Sequence, residues 1–444
     1  MPGAAWRSMR RCRRLFVLAC LLLTALGRAG ADDSITIDLR YDEALGLAAQ
    51  WIAEGKSDQA SKLLDSLEKA SPNDRQVIFL QGQLALQRGQ YPVAITRFRS
   101  LLTQDPSLIR VRLELARALY LAGDYEAARY HFELALGDTE ISDNVRANIL
   151  RFLRAIYAQT TWLSVTATVI SDSNPTNATR VDRVRLFGQD FTLNPDARPQ
   201  SSTGLGVWGD ARYAFGAENR NFVRGQFLVR EFPGSYADYY YFQGTAGKNV
   251  FDGDSVWTAE AGPAWAHYQG QQLFWGPVAE GRHAHPIGRR FLAVESVTWR
   301  RLDYTDFDYL DADQVWLRGR LRYALDPMSG LWGGLAVGHS AAAEQPYSYN
   351  AAELELRYTT ELPARLNLEA GLTMSRYRYR ADLPPFGVKR RDRSIRFDLN
   401  FVLRNLAFEG FAPYFGVSFE QVRSTISLYE FNRNFVAIGV TREF

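Results

Sequence analysis

From Trp162 to the last residue, apolar and polar side chains alternate with a period of two in one segment after another. This period places every second side chain on the same face of a β-strand. Strands of about ten residues, in an even number, are typical of a transmembrane β-barrel, whereas sandwich strands usually have about 5–6 residues. We count about fourteen segments of this length or longer, near 161–171, 202–215, 218–232, 236–251, 254–268, 271–285, 288–301, 312–325, 330–344, 349–362, 364–379, 392–405, 412–424 and 431–444.

The connections between these segments also suit a barrel. The three longest predicted connections, 172–201, 302–311 and 380–391, follow the first, seventh and eleventh segments, so all three lie at the same end. Short turns are expected at the other end, because outer-membrane barrels have long outer loops and short periplasmic turns. Pro263 and Pro277 fall inside predicted strands and argue against the boundaries there, because proline cannot donate to a strand ladder.

The region before residue 160 repeats with a period of 34 residues, which is the tetratricopeptide length. Glycine, alanine, a large apolar residue and tyrosine recur at matched positions. These positions are Gly55, Gly89 and Gly123; Ala60, Ala94 and Ala128; Leu64, Phe98 and Phe132; and Tyr91 and Tyr125. Each unit predicts two short helices joined at a glycine turn, and stacked units bury the apolar faces that one unit alone leaves exposed. Residues 143–159 keep helical spacing and predict a helix that caps the stack.

The first residues have the layout of a secretory signal peptide. Five arginines precede an apolar run from Leu15 to Leu26, and Ala29, Gly30 and Ala31 form a small-residue cleavage site. The apolar run is shorter than the roughly 20 residues that a membrane helix needs. We therefore predict three parts: a signal peptide at 1–31, a periplasmic tetratricopeptide-like helical domain at 32–160 and an outer-membrane β-barrel at 161–444. The fold class is a short α-solenoid followed by an antiparallel transmembrane barrel of about 14 strands.

Little in the sequence points to chemistry. Both cysteines lie in the predicted signal peptide, and the net charge of +3 gives no electrostatic case for nucleic acid binding. No nucleophile elbow, phosphate loop, dinucleotide motif or metalloprotease motif is present. His283 and His285 share a strand face without an evident carboxylate partner. We therefore expect no enzyme activity, catalytic residue, cofactor or metal site.

One set of charged residues is predicted to face the barrel lumen. Arginine on a lipid face costs about 2–4 kcal/mol at the membrane midplane, so alternating arginines belong on the wet side. The predicted lumen residues are Arg318, Arg320, Arg322, Glu353, Glu355 and Arg357. Further charges expected to join them in a lumen of mixed charge are Arg224, Arg230, Arg396, Arg404, Glu260, Glu369 and Asp398. Two interpretations stay open: ion pairs that brace the wall, which we favour, or a ring that selects solutes.

The last segment alternates Val436, Ile438 and Val440 with polar or small residues and ends at Phe444. This pattern resembles the C-terminal signal read by the outer-membrane barrel assembly machinery. Arg442 departs from it, since that face is normally apolar, although a long side chain near the interface can snorkel.

Together, the signal peptide, the short repeat stack and the barrel resemble the surface lipoprotein assembly modulator (Slam) family along essentially the whole mature chain. Residues 172–178 are similar to an asparagine-rich segment of that family, with Pro175 and Thr176 as interruptions. The resemblance implies a translocator that helps client lipoproteins or secreted proteins reach the cell surface, with the helical domain engaging the client. Expected partners are the client, outer-membrane lipids and the barrel assembly machinery, and we expect a monomeric barrel.

Two rival functions fit the same organisation. An exopolysaccharide exporter also joins helical repeats to a barrel, but three repeat units are few for that class. A substrate-specific porin with an adaptor domain would use the loop at 172–201, folded inward, to select solutes.

Overall fold

The computed structural model describes residues 22–23, 35–36, 40–105, 107–136, 141–158, 162–252, 255–287, 291–325, 329–362 and 366–443. Nearly all of the predicted signal peptide and Phe444 lie outside these residues. The chain divides into two compact units, one ending at Gly123 and the other beginning at Asp124. The predicted domain boundaries at 31 and 160 stay predictions. Within the described residues, no helix has the length and apolar character needed to cross a membrane.

The first unit consists of helices that follow the 34-residue period. They are α1 Tyr41–Ala53, α2 Ser57–Ala70, α3 Arg75–Gln87, α4 Tyr91–Gln104 and α5 Ile109–Leu121. Gly55 and Gly89 end α1 and α3 with φ of 76° and 72°, which only glycine adopts at little cost. The next amides, of Lys56 and Gln90, donate back to the carbonyls of Trp51 and Ala85 at 2.8 Å, which closes a Schellman turn at each helix end.

The repeated alanine and large apolar positions form the interior of this unit. Ala60, Ala94 and Phe98 are fully buried, and Leu64 is nearly so. Gly82, which is not one of the repeated positions, makes room for Phe98, because a Cβ added to Gly82 would lie 2.6 Å from the Phe98 ring. The predicted helical repeat is therefore confirmed, and its close packing depends on one further small residue.

The second unit begins with two helices, α6 Tyr125–Leu136 and α7 Asp143–Ala158. The rings of Phe132 and Phe152 stack with their centroids 4.9 Å apart, and Ala128 is fully buried. Ile149 is also buried, on the face of α7 that the helical spacing predicted to be apolar. The predicted final helix is present, and it belongs to the same compact unit as the strands that follow it.

The rest of this unit is a closed barrel of fourteen antiparallel strands. The strands are β1 Trp162–Asp172, β2 Ser202–Phe215, β3 Asn221–Glu231, β4 Tyr239–Asp252, β5 Ser255–Tyr268, β6 Gln271–Ile287, β7 Phe291–Tyr304, β8 Ala312–Ala324, β9 Ser329–Ala342, β10 Tyr349–Leu362, β11 Leu366–Leu383, β12 Val388–Leu403, β13 Phe411–Ser424 and β14 Phe431–Glu443. Each strand pairs with the next, and β14 closes the barrel on β1 with Ile438 opposite Val169. The predicted fold class and strand number are confirmed.

One predicted connection is wrong. We expected a long loop at 380–391, but β11 and β12 continue to pair up to Leu383 opposite Val388, which leaves a tight turn at 384–387. A bulge between Arg378 and Asp382 keeps the longer ladder twisted. The first loop, at 173–201, is long as predicted and contains a small hairpin, Arg183–Leu186 paired with Gln189–Thr192.

The two prolines inside strands are accommodated without ending them. Pro263 of β5 lies directly opposite Pro277 of β6. Each proline interrupts the pairing of its strand with the strand on the other side. The β4–β5 pairing is interrupted between Gln243 and Ala246, and the β6–β7 pairing is interrupted between Trp275 and Val278. The missing amide donors therefore interrupt pairing locally. Gly262 permits the close approach that results, since a Cβ there would lie 1.9 Å from the Gly244 carbonyl oxygen.

Candidate functional site

The two faces of the barrel wall differ in chemistry. Along β8 and β9, Leu317, Leu335 and Val337 are 53%, 67% and 55% exposed, whereas Ala336 between the last two is 5% exposed. Because side chains alternate across a closed wall, the exposed apolar face is the outward one and the other face lines the interior. The interior face is the candidate functional site.

The predicted lumen residues of β8 and β10 meet across the strand between them. Arg318 pairs with Glu353 at 3.6 Å, and Arg320 pairs with Glu355 at 2.9 Å. The strand between, β9, places only Ala336 and Gly334 beneath these pairs. Small residues leave the space that the long arginine side chains need, since a Cβ on Gly334 would lie 3.2 Å from Cγ of Arg320.

The network continues along the wall toward β13. Arg357 pairs with Glu355 at 2.9 Å and with Glu369 of β11 at 2.7 Å. The amide of Asn400 donates to Glu369 at 3.2 Å, and the Tyr414 hydroxyl donates to Asn400 at 2.8 Å. Each charge in this ladder has a partner of opposite sign, which supports the wall-bracing interpretation.

Arg322 behaves differently from the other two arginines of β8. Its strand partner on β9 is Trp332, which fills the space that glycine and alanine leave at the other levels. Arg322 instead forms an ion pair with Glu133 of α6, and both side chains are 11% exposed. Its guanidinium also lies 5.5 Å from the Tyr130 ring centroid and 5.4 Å from that of Trp332. Helix α6 is thus bound to the interior wall, near the end of β8 at the same end of the barrel as the start of β1.

A second interior cluster joins β2, β3, β4 and β5. Arg224 donates to Asp210 at 3.0 Å and to Glu260 at 3.1 Å, and the Thr245 hydroxyl donates to Glu260 at 2.6 Å. Close by, the Arg212 guanidinium lies 3.7 Å from the Phe222 ring centroid. Arg224 and Glu260 were expected among the lumen charges, and the structure places both in this interior cluster. Asp210, Arg212 and Thr245 were not predicted, because their places beside Arg224 depend on strand register.

The start of the first loop is tied to the barrel wall. Asp172 is fully buried and forms an ion pair with Arg433 of β14. Asn174 is also fully buried, and its side chain accepts from the Ala178 amide at 2.8 Å and donates to the Ala178 carbonyl at 2.9 Å. The Thr179 hydroxyl donates to the Ser427 carbonyl at 2.7 Å. The asparagine-containing segment therefore anchors the long loop.

His283 and His285 lie on the outward face of β6. The expectation that no carboxylate accompanies them is wrong, because Glu295 of β7 lies 3.3 Å and 3.5 Å from their Nδ1 atoms. The three candidate ligand atoms lie within 4.8 Å of one another. The Trp257 ring stacks on His283 with centroids 3.9 Å apart, as aromatic side chains at a membrane interface can do. That no metal binds here stays a prediction.

The last strand follows the predicted alternation. Ile438 and Val440 are 59% and 40% exposed on the outward face. Arg442 continues on that face, and its guanidinium lies 5.2 Å from the Phe411 ring centroid, so a cation–π contact accommodates the departure from the apolar pattern. Phe444 lies outside the described residues, and recognition by the barrel assembly machinery stays a prediction.

Two models of one protein family match this chain, one in its helices and the other in part of its barrel. The N-terminal tetratricopeptide repeats of the surface lipoprotein assembly modifiers match residues 43–132, and a second model of the same family matches residues 267–444. The chain belongs to the surface lipoprotein assembly modifier family. A closed barrel with an apolar outward face and membership of this family fit a protein of the outer membrane.

Individual relatives are more distant. Surface lipoprotein assembly modifier 1 of Haemophilus influenzae is 21% identical over 378 residues, which cover 81% of this chain and 75% of that protein. Among solved structures, MamA is 24% identical, with a TM-score of 0.24, over 27% of this chain and 64% of the MamA chain. OccAB3 of Acinetobacter baumannii is 10% identical, with a TM-score of 0.37, over 64% of this chain and 99% of its own.

Proposed function

We propose that this chain is an outer-membrane translocator that helps specific lipoproteins or secreted proteins reach the cell surface. Membership of the surface lipoprotein assembly modifier family supports a role in surface lipoprotein assembly. In this proposal the helical domain lies in the periplasm and engages the client there. The barrel then provides a polar route across the membrane, and no chemical step, cofactor or metal is involved.

The contact between Arg322 and Glu133 is the observation that carries the proposal. It binds a helix of the repeat region to a charged residue of the barrel interior, with both side chains 11% exposed. A helical domain that was joined to the barrel only through the chain would not need a partner on the interior wall. Binding of a client to the helices can therefore change what the interior wall contacts, as a translocator requires.

The first unit offers a surface suited to a polypeptide. Helices α3 and α5 bring Phe79 beneath the guanidinium of Arg110, 5.1 Å from the ring centroid. One turn further along, Gln83 donates to Glu114 at 3.3 Å. Side chains that combine an aromatic ring with donors and acceptors are the kind that repeat proteins use to bind extended peptides.

Two deletions test the proposal, because the compact units do not coincide with the helical domain. One variant lacks residues 32–160, and the other lacks only 32–123 and keeps α6 and α7. Display of a client lipoprotein is measured with an antibody on intact cells, against its total amount in lysed cells. Barrel assembly is checked by the change of gel mobility on heating.

We expect both deletions to assemble the barrel and to abolish display, because both remove α1–α5. Normal display by the variant without 32–123 would overturn client engagement by the first unit. Normal display by both variants would overturn the role of the helical domain altogether. Uptake of a small solute by cells carrying the variant without 32–160, with display unaffected, would favour the porin.

A further inference from the structure

Five arginines form a patch on the outward face of β11, β12 and β13. Arg376, Arg393 and Arg423 form a row across the three strands, with Arg393 directly opposite each of the other two. One step further along, Arg378 lies opposite Arg391. All five side chains are exposed. Directly opposite residues in antiparallel strands have Cα atoms about 4.5–5.5 Å apart, so the Cα atoms of the three arginines in the row lie within about 11 Å.

Within the described residues, none of these five arginines has an ion pair with an acidic side chain. This differs from Arg301, which also lies on the outward face and pairs with Asp303 at 2.6 Å and Asp313 at 3.0 Å. Like charges directly opposite each other on a sheet destabilise it. A row of three without acidic neighbours therefore calls for anions from outside the chain.

The position of the patch indicates which anions these are. Before Arg376, the outward side chains of β11 are apolar from Leu366 to Met374, where Met374 pairs with Ile395. That run covers about 27 Å of strand at about 3.4 Å per residue, or about 21 Å of membrane height at a tilt of about 40°. Since the apolar band of such barrels is about 25 Å tall, Arg376 lies where the hydrocarbon ends and head groups begin.

We infer that this patch binds the phosphorylated head group of an anionic lipid, in the membrane leaflet at the end of the barrel that carries the loop at 173–201. Arginine suits this ligand, because its planar guanidinium binds phosphate oxygens through two parallel hydrogen bonds. The row faces away from the interior, so a polypeptide inside the barrel cannot reach it. With the helical domain in the periplasm, as proposed above, the leaflet is the outer one.

The test uses the full-length protein in a neutral detergent, with the variant R376Q/R393Q/R423Q and the control R301Q. Three probes are compared by native mass spectrometry: a bis-phosphorylated lipid A, zwitterionic phosphatidylethanolamine and inorganic phosphate. Each basic residue near anionic head groups strengthens binding by about fivefold. We therefore expect the triple variant to bind lipid A about a hundredfold more weakly, and R301Q to bind as wild type does.

Thermal unfolding separates lipid binding from a purely structural role. Without lipid, the triple variant is expected to be at least as stable as wild type, since like charges have been removed. With lipid A, the melting temperature of wild type rises and that of the variant does not. Lipid A binding by the variant within twofold of wild type would overturn the inference. So would binding of phosphatidylethanolamine as tight as that of lipid A, or full displacement of lipid A by inorganic phosphate. The choice of lipid A rests on the proposed placement of the helical domain in the periplasm, but no arm depends on client display, so failure of client display and failure of lipid binding are distinguishable.

Discussion

The ion pair between Arg322 and Glu133 yields the sharpest prediction about the helices. Both side chains are 11% exposed, and removing one partner of a buried pair costs about 3–5 kcal/mol because the other charge is left without compensation. Glu133 also lies 3.9 Å from Arg129, which compensates part of the charge when Arg322 is removed. We therefore take the lower end of the range, about 3 kcal/mol.

The variants R322M and E133L are each expected to release α6 from the barrel wall. A loss of about 3 kcal/mol raises the opening equilibrium by about a hundredfold or more. Hydrogen exchange of the amides in α6 and α7 measures this opening in the full-length protein. Barrel strands serve as the internal reference and should stay protected. R320M is the matched control, because Arg320 is 42% exposed and pairs with a barrel residue, Glu355.

The double variant R322M/E133L decides between this account and a simple loss of stability. Replacing a buried ion pair by apolar side chains of similar volume is often neutral or stabilising. The methionine side chain that R322M introduces would also pack against Trp332 and Tyr130, the rings that now flank the guanidinium. We expect the double variant to recover most of the protection. Exchange as fast as the sum of the single variants would refute the account, and so would rapid exchange in R320M.

Three further outcomes follow from single sites. Gly82→Ala should lower the melting temperature of the helical signal in circular dichroism, because overpacking against Phe98 costs about 1–3 kcal/mol and the gain in helix propensity is about 1 kcal/mol; an unchanged or raised value would contradict this. Asp172→Asn leaves Arg433 without its buried partner, so proteolysis of the loop at 173–201 on intact cells should increase while the barrel stays assembled; equal cleavage would count against an anchoring role. Hydrogen bonds from Ser107 and the charge of Arg75 lower the pKa of Asp105. Its carboxylate therefore stabilises the fold above its unfolded pKa, and this contribution is lost as pH falls through the folded pKa. Asp105→Asn should make the stability of the helices less dependent on pH below about pH 4, and an unchanged pH profile would argue against it.

The elements that local spacing controls could be predicted from the sequence. A period of two identifies each strand wherever it occurs, and a period of 34 residues locates each glycine turn, as the positive φ of Gly55, Gly89 and Gly123 shows. The strand number needs no tertiary information, because every strand of a closed barrel carries the same alternation. The orientation of Arg318 and Arg320 toward the lumen follows from the same rule.

The features that depend on register could not be predicted. Glu295 was missed as the partner of His283 because the pair forms only when β6 and β7 are aligned. The outward row was missed although Arg376 and Arg393 lie in strands that were predicted, because which residues stand opposite each other depends on the register of β11 and β12. The pairing of Glu133 with Arg322 could not be predicted for another reason, because no spacing rule relates a helix to a strand 189 residues away.

The interior ion pairs differ in what they contribute to closing the barrel. Arg318, Arg320 and Arg357 are 36–42% exposed, so water reaches their pairs, each of which is worth about 0–1 kcal/mol. Such pairs brace nearby strands of the wall and yet exchange readily for hydrogen bonds to another polar group. The Arg322–Glu133 pair is far less exposed and holds a helix rather than a strand. If a client passes this wall, the step with the largest free-energy cost is therefore the release of α6. Breaking the exposed ion pairs of Arg318, Arg320 and Arg357 costs much less.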